Sequence, residues 1–259
     1  MVISAVSSVH ATSLSSSASG GKIDPFAIFQ LNFEAMGGEK QVKSASNFLY
    51  KGEIELGSQT LSIEEYLQKP LKSLRIISND SLIITKDGNN GWNLWSERKG
   101  EVISIDYSNL PEREVQILWS EYAYTDPKNS IFASSYARKV SIDGTSCYEI
   151  KIRNKMTDEV VTQYYDAKTF LLTREIREIR ESKTQTDFSD YRTVDNVKMA
   201  FKVDTTDLMG DSRQSIIWDT IEKEVFISES LFEAPDDKRT PKENSALLRE
   251  IGARLNTYA

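Results

Sequence analysis

Val197-Lys198-Met199-Ala200-Phe201-Lys202-Val203-Asp204 places apolar side chains at its odd positions and Lys198, Lys202 and Asp204 among the even ones. A period of two is the mark of a strand with one buried and one wet face. The same period continues on either side. Phe48, Tyr50, Ile54 and Leu56 share one parity, while Lys51, Glu53 and Glu55 share the other. Leu61, Ile63 and Leu67 carry the pattern to Lys69-Pro70, where proline ends or bends the strand. Leu71 to Ser78 and Leu82 to Thr85 are further β-rich runs. Asp87-Gly88-Asn89-Asn90-Gly91 is a dense turn signal before Trp92-Asn93-Leu94-Trp95, and Val102 to Ile105 closes this first group. From about Tyr136 to Ile227 strands return: Val140 and Ile142, the Asp143-Gly144 turn, Tyr148, Ile150 and Ile152, then Val160 to Tyr165. Ser212 to Glu224 carries Ile217 and Ile221, with Trp218 on the other parity. Leu172, Ile176 and Ile179 fit a helix stripe as well as a strand. The Asp166-Ala167-Lys168 turn before them points to a hairpin, so a strand is expected.

Three helices interrupt or flank the strands. Asp24-Pro25 supplies an N-cap and a proline at the first helical position, Phe26, Phe29, Phe33 and Met36 form one stripe, and Gly37-Gly38 ends it. Asn109 can cap a second helix, with Pro111 and Glu112 in its first turn and Val115, Leu118, Trp119 and Tyr122 on one face. Thr240-Pro241-Lys242-Glu243 opens a third with Leu247, Leu248, Ile251 and Leu255 on one side. The expected organisation is a leader or signal-peptide remnant over 1–23, one domain over 24–235, and an amphipathic C-terminal helix over 236–259. The fold class is mainly β (α+β). About ten or eleven antiparallel strands make a sheet large enough to curl, with helices covering its concave face.

Composition narrows the chemistry. The 259 residues hold 39 Asp and Glu against 32 Lys and Arg, a net charge of -7, with no basic run. A nucleic-acid footprint is therefore not expected. No stretch approaches the ~20 apolar residues of a membrane-spanning helix. One cysteine, Cys147, allows no intramolecular disulfide and no multi-cysteine zinc site, and one histidine, His10 in a Ser-rich tail, gives a Ser-His-Asp triad little support. Within residues 1–22, Val9-His10-Ala11 has the small-residue spacing of a signal-peptidase site, but the basic n-region is missing. Glu64-Glu65 looks like a carboxylate pair, yet adjacent strand residues point to opposite faces. Asp187 and Asp190 are separated in the same way.

The order helix-Gly37-Gly38, Lys69-Pro70, Asp87-Gly88-x-x-Gly91-Trp92, Tyr165-Asp166 and Asp187-Phe188-Ser189-Asp190-Tyr191-Arg192, closed by Phe232-x-x-Pro235, resembles the outer-membrane lipoprotein carrier superfamily (LolA/LolB-like). The resemblance covers roughly residues 24–235. It implies a half-barrel of antiparallel sheet whose helices close an apolar cavity, in a periplasmic, non-enzymatic protein that holds acyl chains without a cofactor or metal. The implied partner is a lipid or acylated ligand. The alternative is a sensor or interaction module of the same fold, whose partner is another envelope protein. Lys69 stands where the carriers place an arginine before proline, which keeps the charge and loses the planar fork. Asn196 and Ala200 stand where relatives have Gly and Pro.

The candidate ligand-facing residues are Ile54, Leu56, Leu61, Ile63, Leu67, Lys69, Trp92, Leu94, Met199 and Phe201. Each also has a plainer reading as core or strand-end residue. Trp92 is expected to point into the sheet's interior with Leu94. Arg75 and Arg192 are expected to pair with acids on the sheet surface, and Cys147 to be an inert small residue.

Overall fold

The computed structural model describes residues 22–79, 82–210 and 212–235. The expected C-terminal helix and nearly all of the expected leader lie outside the described residues.

The chain enters through α1 (Pro25–Met36) and α2 (Glu39–Ser44). A six-strand meander follows: β1 (Asn47–Leu56), β2 (Gln59–Gln68), β3 (Lys72–Asn79), β4 (Leu82–Asn89), β5 (Asn93–Arg98) and β6 (Glu101–Asp106). After α3 (Pro111–Ser120) come β7 (Phe132–Ser134), β8 (Arg138–Ile142), β9 (Thr145–Asn154), β10 (Val160–Asp166), β11 (Leu172–Ile179), β12 (Ser182–Val194), β13 (Val197–Asp207) and β14 (Arg213–Lys223). All fourteen strands among the described residues join one antiparallel sheet, ordered β6-β5-β4-β3-β2-β1-β14-β13-β12-β11-β10-β9-β7, with β8 also on β9. The last strand returns to pair with the first, so the β1–β14 seam joins two meanders. The sheet stays open between its β6 and β7 edges. The count exceeds the ten or eleven strands read from sequence because short elements such as β7 carry too few residues to show a period.

Local chemistry explains the helices. The Asp24 carboxylate accepts from the Phe26 amide at 3.0 Å, Pro25 fixes the first helical turn, and Gly37 takes the left-handed C-cap with φ 118°. A side chain at Gly37 would also meet the Asn196 carbonyl oxygen at 2.0 Å, so the β12–β13 turn packs tightly on this cap. Gly38 then opens the short α2, which the sequence reading had as the end of α1. Asn109 does not cap α3. Leu110 occupies that position without a side-chain bond, and Pro111 starts the helix with Glu112 and Glu114 in its first turn. Here the proline and acidic first turn suffice. The ambiguous segment 172–179 is a strand.

Ile28 and Phe29 of α1 and Val115 and Trp119 of α3 pack with Phe132, Ile150, Ile152, Val161 and Tyr165 on the inner face of β7, β9 and β10. Phe33 and Val42 continue this cover onto Val197 of β13. Helices therefore cover the β7–β13 half of the concave face. On the opposite, outer face, the chain after β14 crosses the first meander and buries Ile227 and Phe232 against Leu74 and Trp95. Gly88 makes this crossing possible: a Cβ there would lie 2.2 Å from the Trp95 ring.

Candidate functional site on the concave face

The register of the strands defines what the inner face carries. Tyr50 pairs with Glu65, Glu65 with Arg75, Arg75 with Asp87, and Asp87 with Ser96. These five residues form one transverse polar row across β1–β5. On one side of it the same face carries Ile54, Leu61, Ile63 and Ile77, which join Phe201, Ile216, Trp218 and Ile221 from β13 and β14 in one buried cluster. Among the described residues every member of this cluster comes from the sheet or its β12–β13 edge; no helix residue belongs to it. The β14–β3 half of the concave face thus differs from the other half in having no helical lid among the described residues.

Sequence-predicted residues divide accordingly. Ile54, Leu61, Ile63 and Phe201 meet in this cluster, and Met199 packs against it. Leu67 shares their parity and is half-buried. Leu94 is buried separately, with Tyr107 and Ile105. Leu56 sits at the end of β1, 37% exposed. Trp92 does not point inward: it is 57% exposed. It precedes β5, and the Asn90 side chain accepts from both the Trp92 and Asn93 amides, so the strand's alternation does not reach it. Its ring instead lies 4.3 Å from the Arg113 guanidinium, whose Nε donates to the Gly91 carbonyl at 2.8 Å. A cleft of about 390 Å³ lies alongside, lined by Ser108 to Arg113, Glu114, Ile117 and Met156 without Glu112.

The face of β14 also departs from its sequence parity. Gly52 faces Trp218 while Lys51 faces Thr220, so a bulge at Asp219 turns Ile216, Trp218 and Ile221 inward and leaves Ile217 38% exposed. Gly52 is required there, because a Cβ would meet the Ile217 carbonyl oxygen at 2.1 Å.

Lys69 directly follows β2 beside this face. Its Nζ lies 5.0 Å from the Tyr122 ring centroid and 5.8 Å from that of Phe48. Burial pushes its ammonium down to about 8, opposed in part by the Glu224 carboxylate. Because the folded value lies below the unfolded 10.5, the unfolded chain holds the extra proton between these two values. Lys69 therefore costs stability fully below about pH 8, and the cost fades as the pH rises toward 10.5. Lys69→Met is expected to raise stability by about 2 kcal/mol at pH 7, a gain that shrinks at pH 10. Urea unfolding of both proteins at the two pH values measures it.

Arg75 is not a surface residue. It shares the inward parity of Ile77, and its Nε donates to Glu65 Oε1 at 2.8 Å with both side chains more than nine-tenths buried. Glu64, by contrast, faces outward to Tyr66 and Lys51, so the two adjacent glutamates separate as their parity requires. Arg192 pairs with Asp190 on the exposed sheet as expected, and its guanidinium also lies 4.4 Å from the Phe201 ring. Asp187 pairs with Arg174. Cys147 is buried, its thiol pushed up by burial and directed at the Thr145 carbonyl.

The lidded half holds a second acid–arginine cluster that the sequence reading did not find. Arg177 bridges Glu159 and Glu175, Glu159 also accepts from the Trp119 indole at 3.0 Å, and Glu175 accepts from Gln163, which accepts from the Tyr165 hydroxyl. Leu172 and Ile176 share the other parity, and a register shift opposite Thr173 turns Glu175 and Arg177 inward.

No family model matches the sequence, and no curated protein matches it either. Solved structures do match. A DUF1329 family protein from Desulfovibrio piger aligns with a TM-score of 0.53 and 16% identity over 80% of this chain and 96% of that one. A LolA superfamily protein from Nitrosomonas europaea gives 0.52 and 11% identity, over 80% and 96%. The chain has a LolA-like fold. A domain from Vibrio parahaemolyticus, provisionally classed as an outer membrane lipoprotein-sorting protein, aligns at 0.53 and 11% identity over 80% and 95%. In this LolA-like half-barrel, the β14–β3 part of the inner face bears Trp218 and Glu65.

Proposed function

We propose that this chain is a non-enzymatic binder of acyl-chain ligands that works in the periplasm and receives the chain on the β14–β3 part of its concave face. The observation that carries the reading is the apolar cluster of Ile54, Ile63, Phe201, Ile216 and Trp218, built by the sheet while the helices cover the other half. Half-buried Tyr50, Leu67, Lys69 and Met199 border it, and the acyl chain would have to enter past them. Each methylene moved from water onto such a surface contributes about 0.8 kcal/mol. A dozen methylenes supply on the order of 10 kcal/mol before ordering costs, enough for binding without a catalytic or covalent step. The fold shared with a LolA superfamily protein and a lipoprotein-sorting domain supports the same reading. Lys69, at the rim, would face the ligand's polar end.

Native mass spectrometry of gently purified protein tests this. The expected spectrum contains the chain plus lipid-sized adducts, and added fatty-acyl probes shift both the mass and the tryptophan fluorescence. A spectrum with bare chain only, unchanged by the probes, overturns the reading.

A further inference from the structure

The two buried acid–arginine clusters of the concave face have similar composition and different completeness. In the lidded half, Arg177 sits between Glu159 and Glu175, and the second oxygen of Glu159 receives the Trp119 indole N–H from α3. In the other half, Arg75 sits between Glu65 and Asp87 in the strand register. Asp87 receives the Ser96 hydroxyl at 2.6 Å, and Glu65 Oε1 receives Arg75. Glu65 Oε2 is buried and has no hydrogen-bond partner. The side chain that bears it is only 3% exposed. A buried carboxylate oxygen without a donor costs free energy, on the order of 1–3 kcal/mol or more. Where α3 supplies the donor in one half, nothing in the described chain supplies it in the other.

We propose that Glu65 is the seat for an ammonium group carried by an acyl-chain amphiphile. The inference rests on the acyl-binding reading above and adds the chemistry of the ligand's head.

Two observations favour a cation over a neutral donor. Aromatic rings flank the acid: Tyr50 is directly across the strand pair from Glu65, and its ring lies 5.2 Å from that of Trp218. Electron-rich ring faces beside a carboxylate suit an ammonium. The same rim already holds one ammonium against rings, since Lys69 Nζ lies over Tyr122 and Phe48. Lys69 itself is four residues along the chain from Glu65, just past the end of β2 and roughly 13 Å away, and its carboxylate neighbour is Glu224. Burial raises the Glu65 carboxyl above the usual carboxylate range and holds the Tyr50 hydroxyl protonated, which a bound cation would partly relieve at Glu65.

The test compares dodecylamine, dodecanol and dodecanoate on the full chain at pH 7 in about 0.5 M salt, where surface charges are strongly screened. A charge-assisted hydrogen bond predicts that the amine binds at least about 10-fold tighter than either of the others. Glu65→Gln is expected to bring the amine to within about 3-fold of dodecanol; Glu53→Gln, on the exposed outer face, keeps the preference. Should Glu65→Gln not fold, Asp87→Asn removes one formal negative charge from the same row and is expected to weaken the preference several-fold. Equal affinities for the three heads, or an amine preference that survives both variants, overturn the ammonium seat and leave the acyl-binding reading intact. Failure of all three to bind overturns both.

Discussion

Arg177→Met is expected to destabilise the chain by about 3–5 kcal/mol. The guanidinium is buried and is the shared partner of Glu159 and Glu175, which are 2% and 8% exposed. Removing it leaves two carboxylates close together without their cation, in a place where water cannot replace it. Their further ties transmit the damage: Glu159 orients Trp119 of α3, and Glu175 orients Gln163 and through it Tyr165. The loss should therefore include part of the α3 docking, seen as reduced amide protection in α3 along with a lower urea midpoint. Adding Glu159→Gln and Glu175→Gln to Arg177→Met removes the unpaired charges while keeping an acceptor for Trp119. The triple variant is expected to recover part of the loss. A single variant within about 1 kcal/mol of the parent would show that the cluster contributes little.

Trp95→Ala should cost a comparable amount, about 3–5 kcal/mol, by emptying the outer-face core. Trp95 is 1% exposed, lies over Gly88, and donates its indole N–H to the Phe232 carbonyl at 2.9 Å. It is the residue that holds the 225–235 crossing to the sheet, with Ile227 and Phe232 beside it. Trp95→Phe keeps most of the ring and loses the hydrogen bond, for an expected cost of about 1–2 kcal/mol. Gly88→Ala reaches the same core from below, since its methyl would overlap the indole, and is expected to fall between the two. Hydrogen exchange at Phe232 separates the possibilities. It should accelerate in Trp95→Ala and Gly88→Ala ahead of global unfolding, and unchanged exchange would mean the crossing is held elsewhere.

The architecture was legible because apolar alternation is what a two-faced sheet requires. Val197 to Asp204 and Phe48 to Leu67 show it without interruption, and both became neighbours of one seam, β13 and β1–β2 around β14. The resemblance read from Gly37-Gly38, Lys69-Pro70 and Asp87-Gly88 agrees with the fold found. The polar row was less legible, because a charged residue on an apolar parity looks like noise within a strand. Glu65 stands between Ile63 and Leu67 on their own face, and Arg75 stands two residues before Ile77; each was read as a surface or separated charge. Glu175 and Arg177 were hidden further, since Leu172 and Ile176 suggested the opposite inward side. Bulges account for the rest. One extra residue at Asp219 exchanged the faces of Ile217 and Trp218, and a turn rather than a strand at Trp92 released that ring to solvent.

The central claim is that acyl chains occupy the concave face between β14 and β3. Photo-crosslinking with a fatty acid bearing a diazirine at mid-chain, followed by peptide mapping, tests it directly. The expected adducts fall on peptides carrying Leu67, Met199 and Trp218, which border or line that face. Adducts confined to the exposed apolar residues Leu82, Ile83, Met209 and Phe226 would contradict the account.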